Sequence, residues 1–243
     1  MSCALCSEAK PLQQSHLIPE FLYKPLYDPK HRLLETLVKV DTSGRPIREH
    51  GIKQKGYREP LLCSSCEGKL GRWEAYAAAV FPRDAVTSPN AFPDCIRLRG
   101  LDYKPLKLFL LSLIWRCGAG SGPFSTTDLG PHQERLRGML LAEAAGTPLT
   151  YPCVVMAVTV PGKHFRGLVV PPRRARVEGH HIWTLIGGGY VFSYYISSHP
   201  PPATLNEVIL SADGDMTIVF QDIAGIPHVH DGIKSVFALR KPK

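Results

Sequence analysis

A dense run of apolar residues in the middle of the chain predicts a helix with almost no polar face. Asp102 stands where an N-cap is expected, and Pro105 falls in the first turn that would follow it. The apolar positions after them are Leu106, Leu108, Phe109, Leu111, Leu113, Ile114 and Trp115. A helix that is apolar on most sides is buried. We expect it to end at the glycine-rich segment 118–122, and a second helix to run from Pro131 to about Ala145.

From Tyr151 onward the pattern changes to an alternation of apolar and polar residues. This period of two is typical of strands, and the breaks between the runs contain Gly, Pro and Ser. The predicted strands are Val154 to Val160, Leu168 to Val170, His181 to Ile186, Tyr190 to Ile196, Glu207 to Leu210 and Met216 to Phe220. Short strands separated in this way predict an antiparallel sheet or a small barrel.

The first third of the chain has a third pattern. A β-branched run from Leu34 to Val40 ends at the turn signal 41–44, and a second strand-like run continues through Ile52, which predicts a hairpin. After Cys63, apolar residues recur at helical spacing through Val80, so a helix is expected to begin there. We predict an α+β fold with a zinc module at 1–80, a loop and helical region at 81–148 and an antiparallel β region at 149–243.

Two Cys-x-x-Cys pairs, Cys3 with Cys6 and Cys63 with Cys66, indicate a structural zinc site. Each pair forms a tight turn that can direct two sulfurs at one ion, and four thiolates complete a tetrahedral shell. The alternative is redox-active dithiols or unpaired thiols. Three further cysteines, Cys95, Cys117 and Cys153, have scattered apolar settings that favour reduced, buried thiols over disulfides. The order knuckle, hairpin, helix is that of a treble-clef zinc finger.

The residues around these knuckles resemble the zinc-stapled branch of the HNH (ββα-metal) endonucleases. The matching elements are the first knuckle, the segment Ser15-His16-Leu17-Ile18-Pro19 and the segment Leu61-Leu62-Cys63-x-x-Cys66-Glu67. The resemblance covers residues 1–80 alone. It implies that His16 is the general base that activates water and that Glu67 is the helix-borne ligand of a catalytic Mg²⁺ or Mn²⁺ ion.

The chain departs from the HNH pattern at two positions. Ser15 stands where the family has an Asp or His that binds the catalytic metal, and the family's central Asn is missing, with His50 as the nearest polar substitute. A carboxylate at Glu67, with Glu74 two helical turns further on, still offers hard oxygen ligands. The alternative is that His16 forms hydrogen bonds within the finger, Glu67 stabilises the helix N-terminus and Glu74 is solvated.

The net charge of +8 permits a polyanionic partner. Basic residues concentrate between the knuckles, where phosphate contact suits the zinc module: Arg45, Arg48, Lys53, Lys55 and Arg58. The alternative is a solvated loop face. Arg173, Arg174 and Arg176 form a second basic group.

Other signals are weaker. The pairs His180/His181 and His228/His230 allow a second metal site but are more typical of surface histidines, and Gly187 to Gly189 indicates a turn. Arg116, Arg135 and Arg137 are candidates for an interdomain ion pair with Asp102 or Glu134, although packing is the simpler role.

The sequence therefore supports two hypotheses. The first is a nucleic-acid-directed HNH-like protein, with DNA favoured over RNA, acting as a metal-dependent endonuclease in a bacterial or phage defence or mobile-element system; that setting follows from the resemblance alone. The second is a non-catalytic zinc module that staples the fold or docks a protein or nucleic-acid partner.

The start of the chain shows no secretory leader and no apolar run spans a bilayer, so we expect a cytoplasmic protein without a membrane segment.

Overall fold

The computed structural model describes residues 1–40, 46–81, 95–121, 127–160, 163–177 and 179–226, and for 36–40 and 46–50 it describes the backbone alone. The α-helices are α1 (Glu20–Tyr23), α2 (Ser64–Val80), α3 (Tyr103–Ala119) and α4 (His132–Leu141). The strands of the first third are β1 (Leu12–His16), β2 (Leu33–Val40), β3 (Pro46–Lys53) and β4 (Arg58–Cys63). The later strands are β5 (Cys95–Leu98), β6 (Cys153–Val160), β7 (Lys163–His164), β8 (Val170–Val177), β9 (His180–Gly187), β10 (Tyr190–Tyr195) and β11 (Met216–Asp222).

The N-terminal third contains two antiparallel strand pairs and one long helix. β1 pairs with β4, so that Leu12 faces Cys63 and His16 faces Arg58, and α2 begins directly after β4. β2 and β3 form the predicted hairpin, although its expected turn at 41–44 lies outside the described residues. The helical spacing after Cys63 is confirmed, because the buried positions of α2 repeat along one face as Cys66, Leu70, Trp73 and Ala77.

The C-terminal strands form a curled, seven-stranded half-barrel. Its order is β5-β11-β6-β10-β9-β8, with β7 added to β6. The expected antiparallel arrangement holds except at one pair, since β11 runs parallel to β6, with Val219 beside Met156. An alternating pattern identifies a strand but not its direction or its partner, and β11 lies on the side of β6 opposite to β10.

Three local predictions differ from the structure. Of the strand expected at Leu168 to Val170, Val170 alone is in a strand, as the first residue of β8, which continues through the basic residues to Val177. The strand expected at Glu207 to Leu210 is replaced by a 3₁₀ turn at Ala203–Glu207 that buries Leu205. The connection expected at 81–100 contains β5, whose four residues are too few to show a period of two.

The predicted buried helix is confirmed as α3, in which every residue from Leu106 to Cys117 is buried. The ring of Phe81 links the layers, because its centroid lies 6.1 Å from that of Phe109 on α3 and 5.7 Å from that of Phe192 on β10. One continuous core therefore draws on residues 1–80, 81–148 and 149–243. No helix in the described part of the chain has both the length and the apolar character needed to span a membrane.

Asp102 precedes α3 as predicted, but its side chain makes no capping hydrogen bond. A backbone hydrogen bond instead fixes the segment before α3 to the turn before β11: the Leu101 amide donates to the Gly214 carbonyl at 2.9 Å. Gly214 has φ +84°, and a Cβ there would overlap the Leu101 carbonyl oxygen. This contact requires a glycine, because both the backbone angle and the space exclude a side chain.

We expect Gly214→Ala to lower the free energy of unfolding by about 3 kcal/mol or more, since backbone strain adds to a steric clash. Gly100→Ala is the matched control, because Gly100 has φ +65° but open space around its Cβ position, and the cost there is the strain of about 1–2 kcal/mol. Urea unfolding of both variants measures the difference. If both variants lose the same free energy of unfolding, the close contact of Gly214 with Leu101 does not contribute to stability.

Candidate metal centre and adjacent polar site

The two cysteine knuckles meet at one point. Cys3 and Cys6 lie in the N-terminal turn, Cys63 ends β4 and Cys66 lies in the first turn of α2, and their four Sγ atoms are all within 4.8 Å of one another. The N-terminal turn is fixed to β4 by the Ala4 amide, which donates to the Leu61 carbonyl at 3.0 Å. The predicted gathering of the four cysteines is thus present, and the group can hold a metal ion.

The geometry of the group fits a tetrahedral ion. Sulfurs bound to zinc at about 2.3 Å lie about 3.8 Å apart in a tetrahedron, and Cys6 Sγ lies 3.9 Å from Cys63 Sγ. The Cys63 amide donates to Cys3 Sγ at 3.3 Å, and the Ser65 hydroxyl lies 3.2 Å from Cys63 Sγ. The hydroxyl contact lowers the pKa of Cys63 to about 6. The Ser65 contact stabilises the thiolate of Cys63, the form that binds zinc, whereas burial raises the pKa of Cys66 in the same group.

The other three cysteines are free thiols. Cys117 and Cys153 are fully enclosed, and burial raises the pKa of each to about 12. Both are therefore protonated at neutral pH, as expected of inert core thiols. Cys95 lies half-buried on β5.

Ser15 and Glu67 are in direct contact beside the cysteine cluster. Ser15 is fully buried on β1, and its hydroxyl donates to Glu67 Oε2 at 2.5 Å while accepting from the Leu62 amide at 3.3 Å. Glu67 follows Cys66 in the first turn of α2. The two positions that the HNH pattern assigns to metal ligands are therefore adjacent, and the carboxylate is on the helix rather than on the strand.

His16 lies at the end of β1, next to Ser15 and opposite Arg58. Its Nε2 lies 2.8 Å from Glu20 Oε2, and both atoms are buried, although the imidazole as a whole is 21% exposed. Burial lowers the pKa of His16, the charges of Glu20 and Glu74 oppose this, and those of Arg58 and Arg116 reinforce it. His16 is therefore neutral at pH 7, as a general base must be. The described contacts join His16 to Glu20 and Glu67 to Ser15; none joins His16 to Glu67.

Behind His16 lies a buried ion pair that the sequence did not predict. Arg116 of α3 is 1% exposed, and its Nη1 donates to Glu74 Oε1 at 2.5 Å and to the His16 carbonyl at 3.0 Å. This pair anchors the end of β1 to both α2 and α3. Glu74, expected as a second carboxylate near the metal, is paired with Arg116 instead. Arg116 therefore pairs with neither Asp102 nor Glu134. Arg137 does pair with Glu134, but this pair lies within α4 and does not join two regions of the chain.

A buried carboxylate, Glu59, also flanks the site. Glu59, opposite Ser15 on β4, accepts from the Ser121 amide at 2.7 Å and from its hydroxyl at 3.1 Å. This contact joins β4 to the segment that follows α3. Glu20 could have been found from its spacing of four residues after His16, whereas no local signal marks Glu59, Arg116 or Ser121.

The basic residues between the knuckles lie along a surface groove of about 650 Å³. Lys53, Lys55 and Arg58 line it, and Lys53 Nζ lies 3.7 Å from Glu35 Oε2. Arg45 lies outside the described residues, and the side chain of Arg48 is also outside them. The structure therefore brings three of the five predicted basic residues to one surface.

The two histidine pairs that the sequence offered for a second metal site differ in what the structure describes. His180 and His181 are neighbours on β9, where successive side chains point to opposite faces. His228 and His230 lie outside the described residues. Over the described ranges, the four cysteines are the one group of three or more Cys, His, Asp or Glu side chains close enough to share an ion.

The predicted turn at Gly187 to Gly189 is present. Gly187 ends β9 and Gly188-Gly189 form the turn to β10, with φ +64° and +91° at the two turn residues.

Comparison with known proteins finds no relative of this chain. No protein-family model matches the chain, and no match to a curated protein or to a solved structure reaches significance. Function must therefore be argued from the geometry of the cysteine cluster and of the polar residues beside it.

Proposed function

We propose that the chain is a nucleic-acid-directed zinc protein of the HNH (ββα-metal) type, and that the site next to its treble-clef finger hydrolyses a phosphodiester bond. One observation carries the proposal: β4 pairs antiparallel with β1 and runs directly into α2, and this arrangement places Ser15 Oγ 2.5 Å from Glu67 Oε2, with His16 next to Ser15. Strand, strand and helix with these residues in these places is the layout that the sequence resemblance implies.

The cysteine cluster has a structural role in this proposal. A zinc ion held by Cys3, Cys6, Cys63 and Cys66 joins the N-terminal turn to β4 and α2. Because His16 and Glu67 are 51 positions apart in the chain, their approach depends on that junction. Zinc therefore organises the site and takes no part in the reaction.

His16 is the proposed general base. Nε2 lies 2.8 Å from Glu20 Oε2, and in the tautomer that carries the proton on Nε2 the Nδ1 atom keeps a lone pair for the proton of an attacking water. The Glu20 carboxylate lies against one edge of the ring, and the Arg116 contact to the His16 carbonyl fixes the backbone of His16. Burial keeps the ring neutral at pH 7, so the base is ready without prior deprotonation.

Glu67 is the proposed ligand for a divalent cation. Its carboxylate is oriented by the Ser15 hydroxyl, which is itself held by the Leu62 amide. A Mg²⁺ or Mn²⁺ ion bound there would stabilise the negative charge that develops on the phosphate. One carboxylate gives weak binding, so phosphate oxygens of the substrate must complete the shell.

A second candidate function has its own support. Glu67 is hydrogen-bonded to Ser15, Glu74 is paired with Arg116, and across the described residues no second group of three metal-ligating side chains exists. These contacts fit a non-catalytic finger that staples the fold or docks a partner. The two functions differ in one respect that can be measured: metal-dependent strand cleavage.

The test is cleavage of plasmid DNA and of single-stranded DNA and RNA with added Mg²⁺ or Mn²⁺. We expect cleavage by the wild type, and we expect Glu67→Gln to raise the metal concentration for half-maximal rate by about tenfold or more, because an amide is a poorer ligand than a carboxylate. Glu207→Gln, at an exposed glutamate on the far 3₁₀ turn, is the matched control. Absence of cleavage with every metal would leave the non-catalytic finger as the function. An unchanged metal requirement in Glu67→Gln would remove Glu67 from the site.

A further inference from the structure

The groove beside the finger has three walls from distant parts of the chain. The base of the β2–β3 hairpin forms one wall, the segment 54–58 leading into β4 forms the second, and Val169 with Pro171 at the start of β8 forms the third. Its volume of about 650 Å³ is within the range of ligand-binding clefts.

The floor and the rim of the groove differ in chemistry. Leu33, Leu34 and Tyr57 give it an apolar and aromatic surface, and Leu34 is 52% exposed there. Lys53, Lys55 and Arg58 add positive charge. Glu35 offsets Lys53, but among the described side chains no ion pair forms with Lys55 or Arg58. Within the described part of the chain, Lys55 and Arg58 are therefore two cations without an ion-pair partner beside an apolar surface.

One end of the groove reaches the candidate base. Arg58 lines the groove and also faces His16 across the β1–β4 pair, and its charge acts on the His16 imidazole. A polyanion that follows Lys55 and Arg58 therefore arrives next to His16.

We propose that this groove binds a single-stranded segment of nucleic acid, with phosphates on Lys55 and Arg58 and unpaired bases against Tyr57 and Leu34. Unpaired bases expose flat apolar faces that stack on aromatic rings, and their backbone carries the negative charge. A duplex hides these faces in its own base stack, so it would contact the rim and leave the floor uncovered. This inference rests on the proposed function for its choice of nucleic acid, and it narrows the substrate to unpaired strands.

The test measures binding without added divalent metal, so that no cleavage is needed. The probes are fluorescent oligonucleotides of about 12 nucleotides: oligo-dT, oligo-rU and a duplex DNA of the same length. Fluorescence anisotropy is expected to show at least one single strand bound about tenfold more tightly than the duplex. If Lys55 and Arg58 each neutralise one phosphate, single-strand affinity falls about sevenfold between about 50 and 200 mM salt.

Matched variants separate the groove from general charge. Lys55→Glu and Leu34→Asp are expected to weaken single-strand binding about tenfold. Lys104→Glu and Leu141→Asp, exposed residues on α3 and α4 that do not line the groove, should change it less than about twofold. All four sites are exposed, so folding is expected to survive.

The outcomes are distinct. Tighter binding of oligo-dT or of oligo-rU than of the duplex supports the proposal. Equal affinity for duplex and single strands, or a Leu34→Asp variant that binds as well as the wild type, overturns it. Selective single-strand binding by a protein that cleaves nothing would keep this inference and reject the catalytic site, whereas cleavage without such selectivity would do the reverse.

Discussion

Replacing Cys63 by serine is expected to release zinc and to unfold the N-terminal third of the protein. A zinc site of four thiolates contributes its binding free energy to folding, about 10–16 kcal/mol in small finger domains. Cys63 is buried between β4 and α2 and contacts Cys6 and Ser65. Loss of this ligand should cost more than about 5 kcal/mol, which is comparable with the whole stability of an ordinary domain.

Zinc content by elemental analysis and amide hydrogen exchange over residues 1–80 measure this effect. The wild type should contain one equivalent of zinc and show protected amides in β1, β4 and α2. Cys95→Ser is the matched control, because Cys95 is a half-buried thiol on β5 outside the cluster. Wild-type protein with less than about half an equivalent of zinc, or a Cys63→Ser variant with unchanged protection, would show that the cluster is not a structural zinc site.

The second large effect is expected at His16. If His16 removes the proton from the attacking water, His16→Ala should reduce the cleavage rate by about 10²–10⁴-fold. Zinc content and thermal stability should stay close to the wild type, because His16 is outside the cysteine cluster and Glu20 is partly exposed and can be rehydrated. His31→Ala is the matched control, since His31 Nε2 lies 4.0 Å from the same carboxylate but on a mostly exposed ring.

The pH dependence of the cleavage rate is a second test of His16 as the general base. Only the neutral imidazole accepts a proton, so the rate should be constant around pH 7 and fall as His16 becomes protonated at lower pH. Because burial lowers the pKa of His16 from its ordinary value of 6.5, that fall should begin below pH 6.5. A His16→Ala variant that cuts as fast as the wild type, or that retains the acid limb of the profile, would assign the base to another group.

The sequence by itself determined the features that depend on neighbours in the chain. The Cys-x-x-Cys spacing identified the four cysteines that gather into one group able to hold a metal ion, because a knuckle is a local turn that already directs two sulfurs to one side. The apolar run after Asp102 identified α3, because a helix without a polar face can only be buried. Periods of two identified β6, β9, β10 and β11 for a similar reason: side-chain alternation is a property of the strand itself.

The tertiary structure decided what depends on residues far apart in the chain. Ser15 with Glu67, Glu74 with Arg116 and the His16 carbonyl with Arg116 are separated by 52, 42 and 100 positions. No local period encodes such pairs, since they exist only after the knuckles join β1 to α2 and the core places α3 behind them. The parallel pairing of β11 with β6 and the groove between the hairpin, β4 and β8 have the same origin. Local patterns specify which face of an element is apolar, whereas packing selects which apolar faces meet and therefore which polar groups become neighbours.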